Sequence, residues 1–435
     1  MIVKNNPQKI IMHITRCVSD LDWRFLFLVI PLFSLLVFFS LSSAPVDSFP
    51  PFQSFIFNFN RSLAITNSSV SPTDPTFPRL VHSKSELNRS RIAVCLVGGA
   101  RRFELTGPSI VERILNVYPT ADLFLHSPMD TNAFKFSLLK VAPRLAAIRI
   151  FEPKVLPETE AQVRVLTAEN SPNGIQGLVQ YFNLVEECLT MIQSHQQRRN
   201  FTYDWIVRTR VDGYWNAPLT PENFIPGKYV VPTGSSYGGL NDRFGIGDFN
   251  TSIAALSRLS LIPELDSAGF SQLNSESALK AQLITRKVQY ARKRLPFCIV
   301  SERKYVFPPS RLGVPVAALA SPGPLSGAKC RPCTPVCQGP CVADVMLPLF
   351  REWGWTYWRN GTIELCDAHR EWEKGWEKIF DGVVGKKLAA ERRRVKDLKF
   401  EECVGDFGKM KRRASSWESP PVEEICRLGL GMTQM

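Results

Sequence analysis

The chain has 435 residues, 44% of them hydrophobic and 21% charged, which is enough sequence for two or three domains and typical of an ordinary globular protein. Its formal net charge of +13 is spread along the chain, and it contains no zinc-finger spacing, RNA-recognition signature or basic-zipper heptads. A nucleic acid is therefore not the expected partner. The charge favours a solvated surface, or attraction to phosphate-bearing ligands and anionic membranes.

An uncharged apolar segment near the N-terminus predicts a membrane anchor. Residues 25–41 contain no charged side chain, and the segment extends to residue 44 if two serines are included. This length lies at the lower end of the roughly 17–25 residues that span a bilayer. Because basic residues outnumber acidic ones before it, residues 1–24 are expected in the cytosol and the rest of the chain in a lumen. A cleaved signal peptide is the alternative, but the long N-terminal region favours an uncleaved signal anchor.

The segment after the anchor has the composition of a stem. Residues 45–90 are rich in Pro, Ser, Thr, Asn and Phe without a sustained period, which predicts disorder. Ten of the eleven cysteines follow the anchor, and an oxidising lumen favours their pairing. Glycosylation sequons also follow the anchor, at Asn60, Asn67, Asn88, Asn200, Asn250 and Asn360.

Strand and helix patterns alternate over residues 91–325, which we expect to form one α/β domain. The first strand, 92–97, is apolar throughout and ends at two glycines, as is typical of a buried parallel strand. Alternation of this kind implies right-handed crossovers and a mainly parallel central sheet flanked by helices. The later predicted elements are a helix to residue 118, strands at 121–126, 147–151, 205–211, 228–232 and 299–307, and helices at 134–146, 175–197, 252–262 and 275–292.

Residues 326–405 are predicted to form an extension that is rich in Cys and Trp and becomes helical at about 368–400. On spacing alone, its cluster of Cys330, Cys333, Cys337 and Cys341 suits zinc or an iron–sulfur centre. The intervening prolines and the luminal setting instead favour disulfides, either two local ones or bridges to other cysteines. Those other candidates are Cys298, Cys366, Cys403 and Cys426. The basic, polar residues 406–435 are expected to be a mobile tail.

The first candidate site is the glycine turn that follows strand 92–97. Gly98 and Gly99 would let a ligand approach the backbone closely, and Arg101 could meet a phosphate or a nucleotide base. The turn lacks the G-x-G-x-x-G pattern of dinucleotide-binding folds. The alternative is an ordinary strand-to-helix turn with exposed arginines.

The second candidate site is the end of the strand that begins at Trp205. Strand alternation places Arg208, Arg210 and Asp212 on one side, where three charged groups are costly to bury unless they are paired or bind a ligand. One interpretation is an internal Arg–Asp ion pair at the sheet edge. The other is that Asp212 holds Mg²⁺ or Mn²⁺ while the arginines face a diphosphate.

Two further candidates follow in the chain. Asn241 and Asp242 lie in a glycine-rich loop, where they could contact sugar hydroxyls or a metal, or form an Asx-type turn that closes a hairpin. Glu276 lies at the start of a predicted helix, where it could act as a general base. An acidic residue in a first helical turn also interacts favourably with the helix dipole, whatever its function.

Together the anchor, the stem, the α/β start at Gly98-Gly99 and the acid-bearing strand end at Asp212 resemble Golgi glycosyltransferases of the GT-A fold. Residues 91–405 are similar to an uncharacterised plant family of type II membrane proteins of this kind. In the GT-A superfamily a DxD motif binds the metal and the nucleotide sugar. Here the corresponding residues are Arg210-Val211-Asp212, so only the second carboxylate matches.

The resemblance implies an enzyme in the Golgi lumen that transfers a sugar from a nucleotide-diphosphate donor to a glycan or glycoprotein acceptor. It implies that Asp212 and Asp242 hold Mn²⁺ or Mg²⁺ and that Glu276 is the base, in a protein that associates with itself or with other transferases. The residues expected to contact the nucleotide sugar are Gly98, Gly99, Arg101, Arg208, Arg210 and Asn241. Because the first carboxylate is missing, the alternative is an inactive scaffold or glycan-binding partner of other transferases.

Overall fold

The computed structural model describes residues 83–169, 171, 173–305, 314–347 and 363–432. The predicted cytosolic segment 1–24, the anchor 25–44 and most of the stem lie outside these residues. Within them, no helix is both long and apolar enough to cross a membrane. The aromatic residues at 353–358 and the sequons at Asn60, Asn67 and Asn360 also lie outside the described part of the chain.

The strands in chain order are β1 Ile92–Val97, β2 Asp122–Pro128, β3 Leu145–Phe151, β4 Trp205–Arg210, β5 Gly213–Trp215, β6 Lys228–Pro232, β7 Phe244–Asp248, β8 Gln289–Lys293, β9 Phe297–Val300, β10 Ala317–Ala318, β11 Ala328–Arg331 and β12 Ser416–Glu418. The α-helices are α1 Lys84–Leu87, α2 Phe103–Ile110, α3 Glu160–Val165, α4 Gly174–Arg199, α5 Phe249–Leu256, α6 Ile262–Ser267, α7 Ser275–Thr285, α8 Pro340–Met346, α9 Trp376–Lys396, α10 Phe400–Arg413 and α11 Val422–Leu430. A π-helix, Val111–Leu115, extends α2, and 3-10 helices cover Ala133–Val141 and Pro221–Asn223.

The main sheet has eight strands in the order β12-β3-β2-β1-β4-β7-β6-β8. Every neighbouring pair is parallel except the two that involve β7. The predicted α/β fold with a mostly parallel sheet flanked by helices is therefore confirmed. Strands β2 and β3 follow β1 on one side of it in the sheet, and the chain then crosses over so that β4 lies on the other side of β1. The crevice beyond the carboxyl ends of β1 and β4 is thus a topological switch point, where open α/β sheets bind ligands.

Both faces of the main sheet are covered, which explains why the central strands are apolar throughout. All six residues of β1 are buried, as expected of a strand with helices on either side. On one face, alternate β1 residues pack with side chains of α2, the 3-10 helix Ala133–Val141 and α10. On the other face they pack with α4, α5 and α7. A disulfide between Cys95 and Cys188 joins β1 to α4.

A second sheet has the order β10-β11-β9-β5. The chain leaves the main sheet at the end of β4 and enters this second sheet at β5, so Val211 and Asp212 lie at the junction. The backbone carbonyl of Asp212 accepts a hydrogen bond of 2.9 Å from Val300 at the end of β9. Because β11 comes from the expected extension and β9 from the expected α/β domain, the second sheet joins strands from both sides of residue 325.

The helix expected over 134–146 is a 3-10 helix that ends at Val141, because strand β3 begins at Leu145. Two other segments differ more from the sequence-based expectation. The helix expected over 275–292 ends at Thr285, since Lys287 takes a left-handed φ of 55° and the chain continues as β8, paired with β6. Pairing at the sheet edge overrides the helical preference of this Lys/Arg-containing segment. Residues 406–435, expected as a mobile tail, instead contain the end of α10, then β12 and α11. Strand β12 pairs with β3, and Ile425 and Cys426 of α11 join the core.

Ten cysteines form five disulfides, which confirms disulfide bonding as the predicted use of the cysteines. The cluster in the extension makes one local bridge, Cys337–Cys341, and two bridges to distant partners, Cys298–Cys330 and Cys333–Cys366. The remaining pairs are Cys95–Cys188 and Cys403–Cys426.

Replacing Cys403 and Cys426 together with alanine should lower the free energy of unfolding by about 3 kcal/mol, the chain-entropy value for a loop of this length. The two residues are separated by 23 positions, and their bridge ties α10 to the terminal helix α11. Urea denaturation followed by circular dichroism measures the change. An unchanged midpoint would show that the bridge does not hold the C-terminal elements.

Candidate functional site

The glycine turn and the end of β4 are neighbours at the switch point. Val97 of β1 pairs with Arg210 of β4, and a Cβ on Gly98 would lie 2.8 Å from Val211 Cγ2. Gly98 has φ 125°, so this approach and this backbone conformation both require glycine. A Cβ on Gly99 would lie 2.9 Å from Asp130 Oδ2. The structure thus brings together two of the stretches that the sequence singled out.

Arg210 and Asp212 form a two-pronged ion pair at this edge. Arg210 Nε donates to Asp212 Oδ1 at 2.8 Å, and Arg210 Nη2 donates to Oδ2 at 2.6 Å. Burial alone would raise the pKa of Asp212, but Arg210, with Arg101 and Arg243, holds that pKa below its usual value. This pair is the internal Arg–Asp ion pair that was one of the two interpretations of this strand end.

Arg208 is buried below the edge rather than presented at it. Its side chain is 2% exposed, and it donates to the hydroxyl of Tyr181 at 3.3 Å and to the backbone carbonyl of Asp242. The Tyr181 hydroxyl donates to the same carbonyl at 3.0 Å. Arg208 therefore fixes the loop between β6 and β7 from beneath.

The Asp242 carboxylate lies in a buried polar cluster. It is 4% exposed, accepts a hydrogen bond from the Ser275 hydroxyl and lies 3.9 Å from Arg258 Nη2. Burial opposes its ionisation, but Arg258, Arg208 and the Ser275 hydroxyl hold the pKa of Asp242 below its usual value. Neither Arg258 nor Ser275 carried a recognisable signal in the sequence, because each acts through a fold-dependent contact.

Asn241 forms the Asx-type turn that was one of its two interpretations. Its Oδ1 accepts a hydrogen bond of 3.1 Å from the backbone N–H of Arg243. The turn directs Arg243 towards the second sheet, where its guanidinium donates to Gly327 O at 2.6 Å and to Ser235 Oγ at 2.9 Å. The hairpin of β6 and β7 is thereby attached to the turn that precedes β11.

Glu276 lies in the first turn of α7, which begins as the sequence predicted. Asn274 caps the helix by accepting from the Ser277 N–H, and the Glu276 carbonyl accepts from Leu240 N–H at 3.0 Å. A Cβ on Gly239 would lie only 2.0 Å from that carbonyl oxygen, so the loop can pass the helix only with glycine there. Burial raises the pKa of the Glu276 carboxyl to about 8, and the charge of Asp242 adds to the shift.

Lys329 of β11 also lies near these charged residues, and it was not predicted from the sequence. Burial lowers its pKa to about 7, and repulsion from Arg243, Arg303 and Arg210 adds to that shift, while Glu276 acts in the opposite direction. Its Nζ lies 4.3 Å from the centre of the Tyr305 ring. A lysine beside a cysteine gives no sequence signal, since only the pairing of β9 and β11 brings Lys329 to the site.

These charged side chains interact electrostatically near the junction of the two sheets, and we call the group, which combines several cations with two acids, the cationic cleft. Its members are Arg101, Arg210, Arg243, Lys329, Asp212 and Glu276. Within the described residues, no three or more His, Cys, Asp or Glu side chains are arranged to hold a metal ion. A cavity of about 610 Å³ lies at the carboxyl ends of β2 and β3, lined in part by Pro128, Phe151 and Tyr181.

Residues 87–432 match the model of a family described as a domain of unknown function, DUF7796. The match begins just before β1 and extends through α11, so it includes every residue of the cationic cleft. A comparison with curated proteins found no significant match.

Proposed function

The chain belongs to the DUF7796 family, and we propose that it is a Golgi-luminal glycosyltransferase that moves a sugar from a nucleotide-diphosphate donor to a glycan or glycoprotein acceptor. The cationic cleft is the observation that carries this proposal. Four cations meet at the switch point of an α/β sheet, where such folds bind ligands. A diphosphate is the ligand that this charge suits, and a raised-pKa carboxyl beside it suits proton transfer.

The donor diphosphate would lie against the glycine turn and the cations. Gly98 and Gly99 allow close backbone approach, while Arg101, Arg210, Arg243 and Lys329 offset the phosphate charge. Arginine matches phosphate oxygens with paired N–H groups. In this arrangement Asp212 orients Arg210 through its two hydrogen bonds. The cavity beside Tyr181 offers space at the same sheet edge for the nucleoside.

The donor set does not fit the Mn²⁺ or Mg²⁺ that the GT-A resemblance implies. Both oxygens of Asp212 accept hydrogen bonds from Arg210, and the Asp242 carboxylate is buried against Ser275 and Arg258. A divalent cation prefers free carboxylate oxygens. We therefore assign the neutralisation of the leaving diphosphate to the arginines of the cleft, with Lys329 contributing at pH values below about 7, where its amine is charged.

Glu276 would act as the base. Its carboxylate takes the proton of an acceptor hydroxyl, the hydroxyl oxygen forms a bond to the anomeric carbon, and the bond from that carbon to the diphosphate oxygen breaks. The nucleoside diphosphate leaves with the electron pair, and the cations stabilise its added charge. A pKa of about 8 gives the carboxylate enough basicity for this step at mildly alkaline pH.

The Golgi location and type II topology are proposals from the sequence. The five disulfides are compatible with an oxidising lumen. The three sequon asparagines in the described part of the chain, Asn88, Asn200 and Asn250, are exposed and so could carry glycans there.

The second candidate function is a luminal scaffold or glycan-binding partner that lacks catalysis. The observation that favours it is the closed pair of Arg210 and Asp212, in which Arg210 occupies the position of the missing carboxylate. Under this alternative, Asp212→Asn would have no effect on any donor, and a transferase would co-purify with the chain.

We expect the full-length protein to bind, and slowly hydrolyse, at least one nucleotide sugar from a panel of UDP- and GDP-sugars, with or without EDTA. At pH 6, where the Lys329 amine is charged, Lys329→Met should weaken donor binding at least tenfold, about 1.4 kcal/mol, because it removes a cation from the cleft. Isothermal titration calorimetry measures the affinity.

Lys378→Met, at an exposed position of α9, is the matched control and should change nothing. Asp212→Asn should also reduce binding, since Arg210 would lose its orienting partner. Failure of every donor in the panel to bind the wild-type protein would exclude the enzyme and leave the scaffold.

A further inference from the structure

A second cavity lies at the opposite edge of the main sheet from the cationic cleft. Its volume is about 680 Å³, and it is bordered by the amino ends of β1, β2 and β3 and by the carboxyl end of α4. The proposed transfer reaction uses none of its residues.

The walls of this cavity carry an excess of positive charge. Five arginines line it, against the single acid Asp122. That carboxylate is already satisfied, because Arg144 Nε donates to it at 2.7 Å and the Tyr203 hydroxyl at 2.8 Å. The other four arginines form no ion pair with any described residue. They are Arg89, Arg91, Arg199 and Arg413.

Neutral partners hold these arginines in place without cancelling their charge. The Arg91 guanidinium lies 4.5 Å from the centre of the Phe201 ring. Arg199 donates to Ser415 Oγ at 3.3 Å, and Arg413 donates to three backbone carbonyls, among them Pro143 O at 3.0 Å. Each guanidinium has five N–H donors in all, so donors remain for a ligand. The charge is therefore pre-positioned and uncompensated.

The size and polarity of the cavity define the class of ligand. About 680 Å³ falls in the range of small-molecule sites, most of which are apolar. Here hydroxyl side chains, such as Ser90 and Thr120, share the lining with the guanidiniums. Arginine pairs with carboxylate and sulfate-like groups through parallel hydrogen bonds, and the neutral polar groups suit sugar hydroxyls. We propose that this cavity binds an acidic saccharide, a sugar unit that carries a carboxylate or sulfate group.

Titration calorimetry on the full-length protein tests the proposal. Because Asn88 lies in the lining and is part of a sequon, every sample carries Asn88→Gln to exclude a glycan from the entrance. The probes are a uronic-acid disaccharide, a sulfated disaccharide, a neutral disaccharide of the same size and inorganic sulfate. At least one acidic disaccharide should bind at least tenfold more tightly than the neutral one and than inorganic sulfate.

Arg91→Gln/Arg199→Gln should weaken acidic disaccharide binding at least tenfold. Arg286→Gln/Arg370→Gln makes the same change of charge at positions outside the cavity, where the side chains are 49% and 88% exposed, and should leave binding unchanged. If both double variants weaken binding equally, general charge attraction explains the binding, and the claim that this cavity is the binding site is overturned. Equal affinity for inorganic sulfate would overturn the claim that the ligand is a saccharide. Absence of binding at millimolar probe concentration would overturn both that claim and the claim that the cavity is a binding site.

The cavity and the cationic cleft can be tested separately. Arg91→Gln/Arg199→Gln should keep the wild-type affinity for a nucleotide sugar, and Lys329→Met should keep the wild-type affinity for the acidic disaccharide. Loss of donor binding therefore bears on the proposed transferase alone, and loss of disaccharide binding on the cavity alone.

Discussion

Replacing Glu276 with glutamine should lower the rate of sugar transfer by about 10²–10⁴-fold, the usual contribution of a positioned general base, and leave donor affinity unchanged. Glutamine keeps the size of the side chain but cannot take a proton from the acceptor hydroxyl. The measurement is single-turnover transfer at saturating donor, with donor affinity from titration calorimetry. A variant rate within threefold of wild type would remove Glu276 from the mechanism.

The dependence of the rate on pH gives a second readout for the same residue. A base must be deprotonated to act, and burial raises the pKa of Glu276 to about 8. The wild-type transfer rate should therefore rise with pH until about 8, which gives the pH–rate profile a rising limb. The residual rate of Glu276→Gln should lack this rising limb. Lys329, with a pKa lowered to about 7, loses its charge in the same range. Lys329→Met separates the two contributions, since it should leave the rising limb in place.

Stability distinguishes a lost base from a damaged fold. The pKa of Glu276 in the folded chain lies above its usual value of 4.5 in an unfolded chain, so the folded state binds this proton more tightly than the unfolded state. Relative to Glu276→Gln, the wild-type protein should accordingly lose stability as pH rises from about 4.5 to about 8. Glutamine removes the cost of the buried charge, so Glu276→Gln should be more stable than wild type at pH 8. A slower and less stable variant would contradict the assignment.

Patterns within single segments were sufficient to predict the α/β fold class with its mostly parallel sheet and the placement of some residues of the candidate site. The apolar run of β1 and the glycines after it predicted a buried parallel strand, and strand alternation placed Arg208 and Arg210 on one side of β4. In the structure Arg208 contacts Tyr181 of α4, and Val207 and Val211 join the core on the opposite face. These features depend on local periodicity and on the steric limits of single residues, both of which can be read from the order of residues in one segment.

The remainder of the site depends on contacts between distant segments. Lys329 reaches the cleft only because β11 pairs with β9, and Arg258 reaches Asp242 through the packing of α5 and α7. The exposed segment at 286–293 shows the same effect on secondary structure, because pairing with β6 determines its conformation. Local helix and strand propensities do not specify which distant segments pair with each other. These pairings could therefore not be derived from one sequence.

Arg258→Met should destabilise the protein by about 3–5 kcal/mol, the cost of breaking a buried ion pair by removing one partner. The Arg258 side chain is 1% exposed, lies 3.9 Å from the Asp242 carboxylate and donates to Ser275 O at 2.7 Å. Without it, Asp242 would remain buried with less compensation for its charge. Urea denaturation measures the change. A cost below about 1 kcal/mol would show that the Ser275 hydroxyl and the nearby charge of Arg208 are enough to stabilise this carboxylate.

Two further variants isolate the cause. Arg286→Met removes an arginine from the exposed pair with Glu264 and should cost less than about 1 kcal/mol. Arg258→Met/Asp242→Asn should recover part of the loss, because the second change removes the stranded charge. The backbone carbonyl of Asp242 accepts a hydrogen bond from Arg208, so a shift of Asp242 in Arg258→Met should also weaken the attachment of the loop that carries Arg243. Donor affinity should then fall together with stability. In the recovered double variant, donor affinity should return in proportion to stability if the buried cluster serves the cleft only by holding that loop.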